Sequence, residues 1–232
     1  NGYRVAIVPH PDWHGDYRDF EKLGRPRLFF AVSPGAMDSM VNRYTANRRM
    51  RHDDAYTPDG RHGMRPDYPS IVYSKILKQL FPDVPVVLGG IEASLRRLTH
   101  YDYWEDKLKK CILCESGADI ILYGMGEKNT LQLCRELENG RSIKDVKDIP
   151  QTVYLAKKED IPGGITDTDI VLHSHEECLR NKKAQAENFR HIEEESNKMH
   201  AQRLIQGVDH QFAVVNPPYP PMTTEELDAA FD

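Results

Sequence analysis

Apolar positions along the 232-residue chain alternate between short β-branched or aromatic runs and longer stretches at helical spacing. That rhythm builds a sheet with helices packed on it. Residues 3–9 read as a strand, 16–23 as a short helix stopped by Gly24, and 27–33 as the next strand. Between 69 and 81, Ile71, Val72, Ile76, Leu77 and Leu80 recur on one helical face, and Pro82 closes the helix. A strand over 85–88 ends in Gly89-Gly90; a helix over 103–115, a strand over 119–123, a helix over 128–137 and a strand over 151–156 follow. Right-handed crossovers wind such elements into a doubly wound, mainly parallel sheet, a Rossmann-like or flavodoxin-like α/β fold. Its βα turns would meet at the C-terminal ends of the strands, in residues 10–14, 33–36, 89–93 and 124–127. Ser33, Gly35, Gly89, Gly90, Glu92, Gly124, Gly126 and Glu127 are therefore the candidate lining of a cofactor site or pocket. Glycines there let backbone N–H groups approach a polar ligand, and Glu127 suits a helix N-terminus.

Two regions break the rhythm. Residues 35–67 take over thirty positions to reach the next helix, which marks a functional loop, a lid or an interface. Beyond Ile161 a strand over 169–173 precedes a polar stretch, 174–206, free of Gly and Pro. Its narrow apolar stripe (Leu179, Ala186, Phe189, Ile192, Met199 and Leu204) predicts a solvated helix or helix pair outside the sheet unit. A strand over 212–216, a stiff segment from Pro217 to Pro221 and a helix cap at Thr223-Thr224-Glu225-Glu226 complete the chain. The expected division is a Rossmann-like domain over 1–160 and a helical extension and linker over 161–232.

Composition narrows the function. Thirty-one Lys and Arg against 36 Asp and Glu, a net charge of −5, offer no global field for nucleic acid. No apolar run reaches the roughly 18–20 residues of a membrane span and no leader opens the chain, so a cytoplasmic protein without membrane contact is expected. The four cysteines are too few and uneven for a disulfide scaffold. Cys111-Ile112-Leu113-Cys114 lacks the second pair a structural zinc needs, and near the end of the helix over 103–115 it reads as two buried small hydrophobes. A redox pair would follow a strand and open a helix. His10, Asp12, His14 and Asp16 would share one side of an extended chain, but Pro11 and Gly15 favour a polar loop; no metal ligand is assigned. In the long loop Arg43, Arg48, Arg49, Arg51, Arg61 and Arg65 with Tyr44 and Tyr56 make a case for phosphate or RNA binding. Asp53, Asp54 and Asp59 favour local pairing instead.

Several segments together resemble the N-terminal region of YgiQ-like radical SAM proteins. They are Arg25-Pro26-Arg27-Leu28-Phe29-Phe30, Met37-Asp38-Ser39-Met40-Val41-Asn42-Arg43-Tyr44-Thr45-Ala46, Asp53-Asp54-Ala55-Tyr56-Thr57-Pro58, Gly89-Gly90-Ile91-Glu92-Ala93-Ser94-Leu95-Arg96-Arg97 and Tyr123-Gly124-Met125-Gly126-Glu127. Val214-Val215-Asn216-Pro217-Pro218 and Thr223-Thr224-Glu225-Glu226-Leu227-Asp228 extend the match over nearly the whole chain. The resemblance implies a bacterial protein in which a Rossmann-like N-terminal domain precedes a radical SAM barrel. In that barrel a CxxxCxxC motif holds a [4Fe–4S] cluster that binds S-adenosylmethionine. No such triad exists in these residues, so the cluster site is expected downstream of Asp232, the barrel of the same polypeptide is the expected partner, and this chain alone is expected to have no catalytic residue. The family also has a strand and helix ahead of Gly2, and with Asn1 in place of Met the chain reads as a fragment. A likeness to cobalamin-binding domains lies in the two glycine turns, but Tyr17 stands where the D-x-H-x-x-G motif begun by Asp12-Trp13-His14 needs glycine, so cobalamin is not expected. The first reading is an accessory domain that shapes the barrel mouth or substrate pocket, with Arg43, Arg48, Arg49, Arg96 and Arg97 at an interface or anion site. The alternative is a nucleotide- or RNA-binding module that uses the Arg-rich loop 43–65 and the Gly-lined edge. The substrate is not implied.

Overall fold

The structure, a computed structural model, describes residues 2–231. After a short helix α1 (Arg18–Glu21), strand β1 (Phe30–Val32) enters the sheet. Helix α2 (Ser39–Arg43) lies within the long loop, and α3 (Pro69–Leu80) crosses back to β2 (Val86–Leu88), which runs into α4 (Gly90–Leu95). Strands β3 (His100–Asp102) and β4 (Lys107–Lys109) form a separate hairpin ahead of α5 (Ile112–Ser116). Strand β5 (Ile120–Leu122), helix α6 (Glu127–Glu138) and strand β6 (Thr152–Ala156) come next. Strand β7 (Ile170–Leu172) leads through α7 (His175–Arg180) and α8 (Lys182–Ser196) to β8 (Leu204–Val208), β9 (Gln211–Val215) and α9 (Thr224–Phe231).

The seven-stranded sheet has the order β1-β2-β5-β6-β9-β8-β7. Its first three strands are parallel, β6 is antiparallel to both neighbours, β8 is antiparallel to β9, and β7 runs parallel to β8. Alternation at period two sorts the side chains of β2 and β5 onto two faces. Val86, Leu88 and Ile121 pack under Ile71, Ile76 and Leu77 of α3 and Ile112 and Leu113 of α5. Val87, Ile120 and Leu122 meet Leu133 of α6 with Val146 and Ile149. Both faces are covered, which is why these strands are apolar without interruption.

Three sequence expectations are corrected. Residues 3–9 form no strand: Val5 and Ile7 are each 81% exposed, and the segment is held by Tyr3 donating to Glu138 at 3.1 Å. The helix over 103–115 is instead the β3–β4 hairpin followed by α5. The Asp102 carboxylate accepts the N–H groups of Trp104 and Glu105 at 2.9 and 2.8 Å, and Asp106 has φ 53°, so the chain is turned back where a helix would have continued. The helix expected over 174–206 ends at Ser196, and β8 follows at Leu204; with β7 and β9, near the strands expected over 169–173 and 212–216, it extends the same sheet. Asn181 (φ −138°) separates α7 from α8 and caps the latter by accepting the Lys183 N–H. Leu204, read as the last member of a helical stripe, opens β8, while Leu179 and Phe189 are exposed as the solvated reading requires.

Candidate functional site

Because β1, β2 and β5 are parallel, the residues after Val32, Leu88 and Leu122 emerge on one edge of the sheet. The three turns interlock there. Gly89 donates to the Val32 carbonyl at 3.0 Å. Gly90 has φ +79°, and a Cβ on it would lie 2.6 Å from Ser33 Oγ and 3.5 Å from the Gly35 carbonyl. Ser94 Oγ donates to the Gly90 carbonyl at 2.8 Å and accepts the Gly124 N–H at 3.1 Å. Gly35 (φ +109°) faces the Tyr56 ring, 2.8 Å from where a Cβ would sit. Gly126 is the N-cap of α6 and Glu127 its exposed first residue.

Glu92 belongs to the interior of this edge. It is 0% exposed and accepts the N–H of Ser39, first in α2, at 3.1 Å and that of Ser70, in the first turn of α3, at 3.4 Å. One carboxylate thus satisfies orphan donors at two helix N-termini and pins both ends of the long loop to α4. Of the loop arginines, Arg65 and Arg43 are turned inward. Arg65 grips Asp54 at 2.9 and 3.1 Å, donates to the Pro34 carbonyl at 3.0 Å and lies over the Tyr56 ring. Burial pushes the Asp54 carboxyl up, but the Arg65 guanidinium, the Tyr56 N–H and the Asn42 amide outweigh it and hold its pKa below the usual range. Arg43 pairs with Asp67 at 3.2 Å, Arg61 with Asp59 at 3.5 Å, and Arg96 with buried Asp38, the N-cap of α2. Burial opposes the Arg96 charge, and Asp38 more than compensates. Arg48 lies over Tyr103, and Arg48 and Arg49 remain exposed. The arginines predicted as a set therefore do not converge.

Arg97 differs from its neighbour. Its guanidinium lies over the Tyr123 ring, 5.2 Å from the centroid, and Nη1 donates to the Ser94 carbonyl. Among the described residues no carboxylate pairs with it, Nε is buried without an acceptor, and burial pulls its pKa down. Beside it Gln151 (φ 61°) fastens the glycine turn: its amide nitrogen donates to the Tyr123 carbonyl at 2.8 Å and to that of Met125. Its backbone N–H donates to the Pro217 carbonyl at 2.8 Å, and its own carbonyl accepts Asn129 Nδ2 at 2.9 Å. Between this turn and the proline segment lies a cleft of ≈ 240 Å³, lined by Gly124, Met125, Lys128, Tyr219, Pro220 and Met222. Lys128 is paired with Glu226 at 2.7 Å. Gln151, Asn129 and Tyr219 carried no signal in the sequence; Asp38 did, as an N-cap ahead of Ser39-Met40-Val41.

The thiols do not gather into a cluster site. Cys134 lies on α6, and Cys178 on α7 accepts from Asn188 at 3.2 Å, apart from Cys111 and Cys114. Among the described residues no group of three or more His, Cys, Asp or Glu is placed to hold a metal ion, so these side chains do not fit a [4Fe–4S] cluster. His10 to Asp16 is a polar loop in which the Asp12 carboxylate accepts the His14 N–H at 3.0 Å. The Cys111–Cys114 pair is where the sequence reading fails: Cys111 follows β4 and is the N-cap of α5, so the pair opens a helix.

Three parallel strands whose glycine turns gather at their C-terminal ends define a Rossmann-like α/β domain. The chain belongs to the radical SAM N-terminal family: the family model described as "Radical SAM N-terminal" matches residues 1–232. It is 60% identical to a UPF0313 protein of Bacteroides thetaiotaomicron, an alignment covering 100% of this chain and 39% of that protein. A UPF0313 protein of Porphyromonas gingivalis is also 60% identical (100% and 36% covered), and one of Geobacter sulfurreducens is 46% identical (100% and 38%). The chain therefore spans under two fifths of the length of these relatives. The resemblance to YgiQ-like radical SAM proteins agrees with both findings. No solved structure matches the chain significantly. Among the described residues no helix is long and apolar enough to cross a membrane.

Proposed function

We propose that the chain is the N-terminal accessory domain of a radical SAM polypeptide, and that the glycine-turn edge of its sheet faces the barrel and shapes its mouth or substrate pocket. The observation that carries this reading is Arg97, a half-buried cation at that edge whose Nε is buried without an acceptor and which, among the described residues, has no carboxylate partner; it is flanked by exposed Ile91, Leu95 and Met125. A buried guanidinium N–H left without an acceptor is costly, and a surface that docks against Arg97 supplies the missing acceptor. On this reading the [4Fe–4S] cluster and S-adenosylmethionine are held by the barrel, for which the additional length of the relatives leaves room. Four free thiols suit a reducing cytoplasm. The nucleic-acid reading loses ground because Arg43, Arg61, Arg65 and Arg96 are each paired with a carboxylate.

The test compares amide exchange in a full-length UPF0313 polypeptide and in this chain. Residues 89–97 and 123–127 should exchange more slowly in the longer polypeptide, and Arg97→Gln there should lower 5′-deoxyadenosine formation while leaving bound iron unchanged. Equal exchange in the two proteins, or full turnover in the variant, would sink the reading. RNA binding that weakens steeply with salt would favour the alternative.

A further inference from the structure

Cys111 and Cys114 occupy the N-cap and third positions of α5, with only Lys110 between Cys111 and the end of β4. Side chains at those two positions face each other, the relation that lets a capping-box pair bond reciprocally. The Cys114 N–H donates to the Cys111 carbonyl at 2.9 Å, closing a tight turn; a turn of this kind holds the two Cα atoms within about 7 Å, and disulfides form at about 4.4–6.8 Å. The two thiols differ in access. Cys111 is 1% exposed among Ile112, Leu113 and the α3 side chains, whereas Cys114 is half-buried and reachable. They differ in acidity as well. The neighbouring Cys111 thiol, with the Lys110 ammonium adding to it, pulls the Cys114 thiol down against its own burial; Cys111 is pushed up by its neighbour and by burial. Asp209 opposes the shift at Cys114, but its carboxylate is held by Lys110 at 2.6 and 2.8 Å. The Cys134 and Cys178 thiols are raised, chiefly by burial and further by Glu138 and Glu177 respectively, and each stands on a different helix from the pair.

We propose that Cys111 and Cys114 form a redox-active dithiol that exchanges with low-molecular-weight disulfides, Cys114 acting as the attacking thiol and Cys111 as the resolving one. This reading uses no part of the barrel and stands apart from the accessory role. Cys114 thiolate attacks one sulfur of the disulfide RSSR, its S–S bond breaks, and RS⁻ leaves and is protonated by the proton Cys114 gave up. Cys111, on losing its proton, attacks Cys114 sulfur in the mixed disulfide; a second RS⁻ leaves and takes that proton. The protein dithiol is oxidised to one disulfide while RSSR is reduced to two RSH.

The 232-residue chain is incubated without oxygen in oxidised glutathione, quenched with an alkylating agent and mapped by mass spectrometry. The wild-type chain should lose two hydrogens, within the peptide carrying Cys111 and Cys114. Cys111→Ser should stop at a stable glutathione adduct on Cys114, and Cys114→Ser should react at least about tenfold more slowly than wild type. Alkylation of the reduced chain should reach Cys114 before Cys134 and Cys178. An unresolved adduct on Cys114 in the wild-type chain, or Cys114 reacting no faster than Cys134 and Cys178, would overturn the proposal. Circular dichroism of each variant establishes that slow reaction does not come from misfolding.

Discussion

Replacing Glu92 with Ala should loosen the long loop from the sheet. The substitution leaves the N–H groups of Ser39 and Ser70 without their acceptor inside the protein. A hydrogen bond to a charged group contributes about 1.5–3 kcal/mol, and an orphaned buried donor costs about 1–3 kcal/mol. Weighting the 3.1 Å contact fully and the 3.4 Å contact at the low end gives a loss of roughly 3–4 kcal/mol. For a chain of this length that is a fall in Tm of roughly 6–16 °C. Glu92→Gln keeps the volume and one acceptor, but its amide nitrogen faces an N–H, so it should lose roughly 1–2 kcal/mol. Urea unfolding followed by tryptophan fluorescence reports the effect well, because both tryptophans touch the loop. Trp13 donates to the Met64 carbonyl at 2.9 Å, and Trp104 lies against Tyr44. A Glu92→Ala chain within about 0.5 kcal/mol of wild type, the range of an ordinary surface change, would refute the tie.

His100 is held neutral, its pKa pushed down to about 4 chiefly by burial, with Arg96 and Lys109 adding to the shift and Asp102 and the Leu98 carbonyl opposing it. The stabilisation from its neutral form is complete above the unfolded pKa of about 6.5 and disappears as pH falls toward 4, a change of up to about 3 kcal/mol; His100→Asn should flatten that slope of urea midpoint against pH. Gly90→Ala should destabilise by about 1–3 kcal/mol, because φ +79° strains an L-residue and its Cβ meets Ser33 Oγ at 2.6 Å; thermal unfolding of the double variant with Ser33→Gly should recover only the clash, and complete recovery would contradict the backbone argument. Gln151→Ala should speed amide exchange over residues 123–127 while leaving α3 unchanged, since the Gln151 amide ties the Tyr123 and Met125 carbonyls together; unchanged exchange would show that the turn holds itself.

The parallel half of the fold was legible because its strands and helices obey local rules. Val86 to Leu88 and Ile120 to Leu122 are apolar runs ended by glycine, and α3 and α6 carry period-3.6 stripes between clear stops. What failed depended on partners far along the chain. A Tyr-Arg-Val-Ala-Ile-Val run has every mark of a strand, yet a strand needs a neighbour and among the described residues 3–9 pair with none. The β3–β4 hairpin was hidden because its turn rests on Asp102 bonding its own backbone, with no glycine or proline to announce it. Leu204 fits both a helical stripe and a strand, and the decision comes from pairing with Val215. The position of the glycines on the sheet edge was legible, but the roles of Glu92 and Arg96 were not. Whether a charged side chain faces a ligand or a helix end is settled by the three-dimensional approach of Asp38, Ser39 and Ser70.

The tie at Glu92 sets an order of events during synthesis. Its two donors lie 53 and 22 positions earlier in the chain, and the Arg96 contact reaches back 58. Residues 35–67 therefore leave the ribosome before the side chains they rest on have been translated. At about 5–20 residues per second they wait on the order of seconds. During that interval α3 has no β2 to cover and the loop has no seat. Its docking is a late, non-local step that must follow the β2–α4 turn. A nascent chain halted before Glu92 should be open to proteases across 35–67, and one released beyond Arg97 should close.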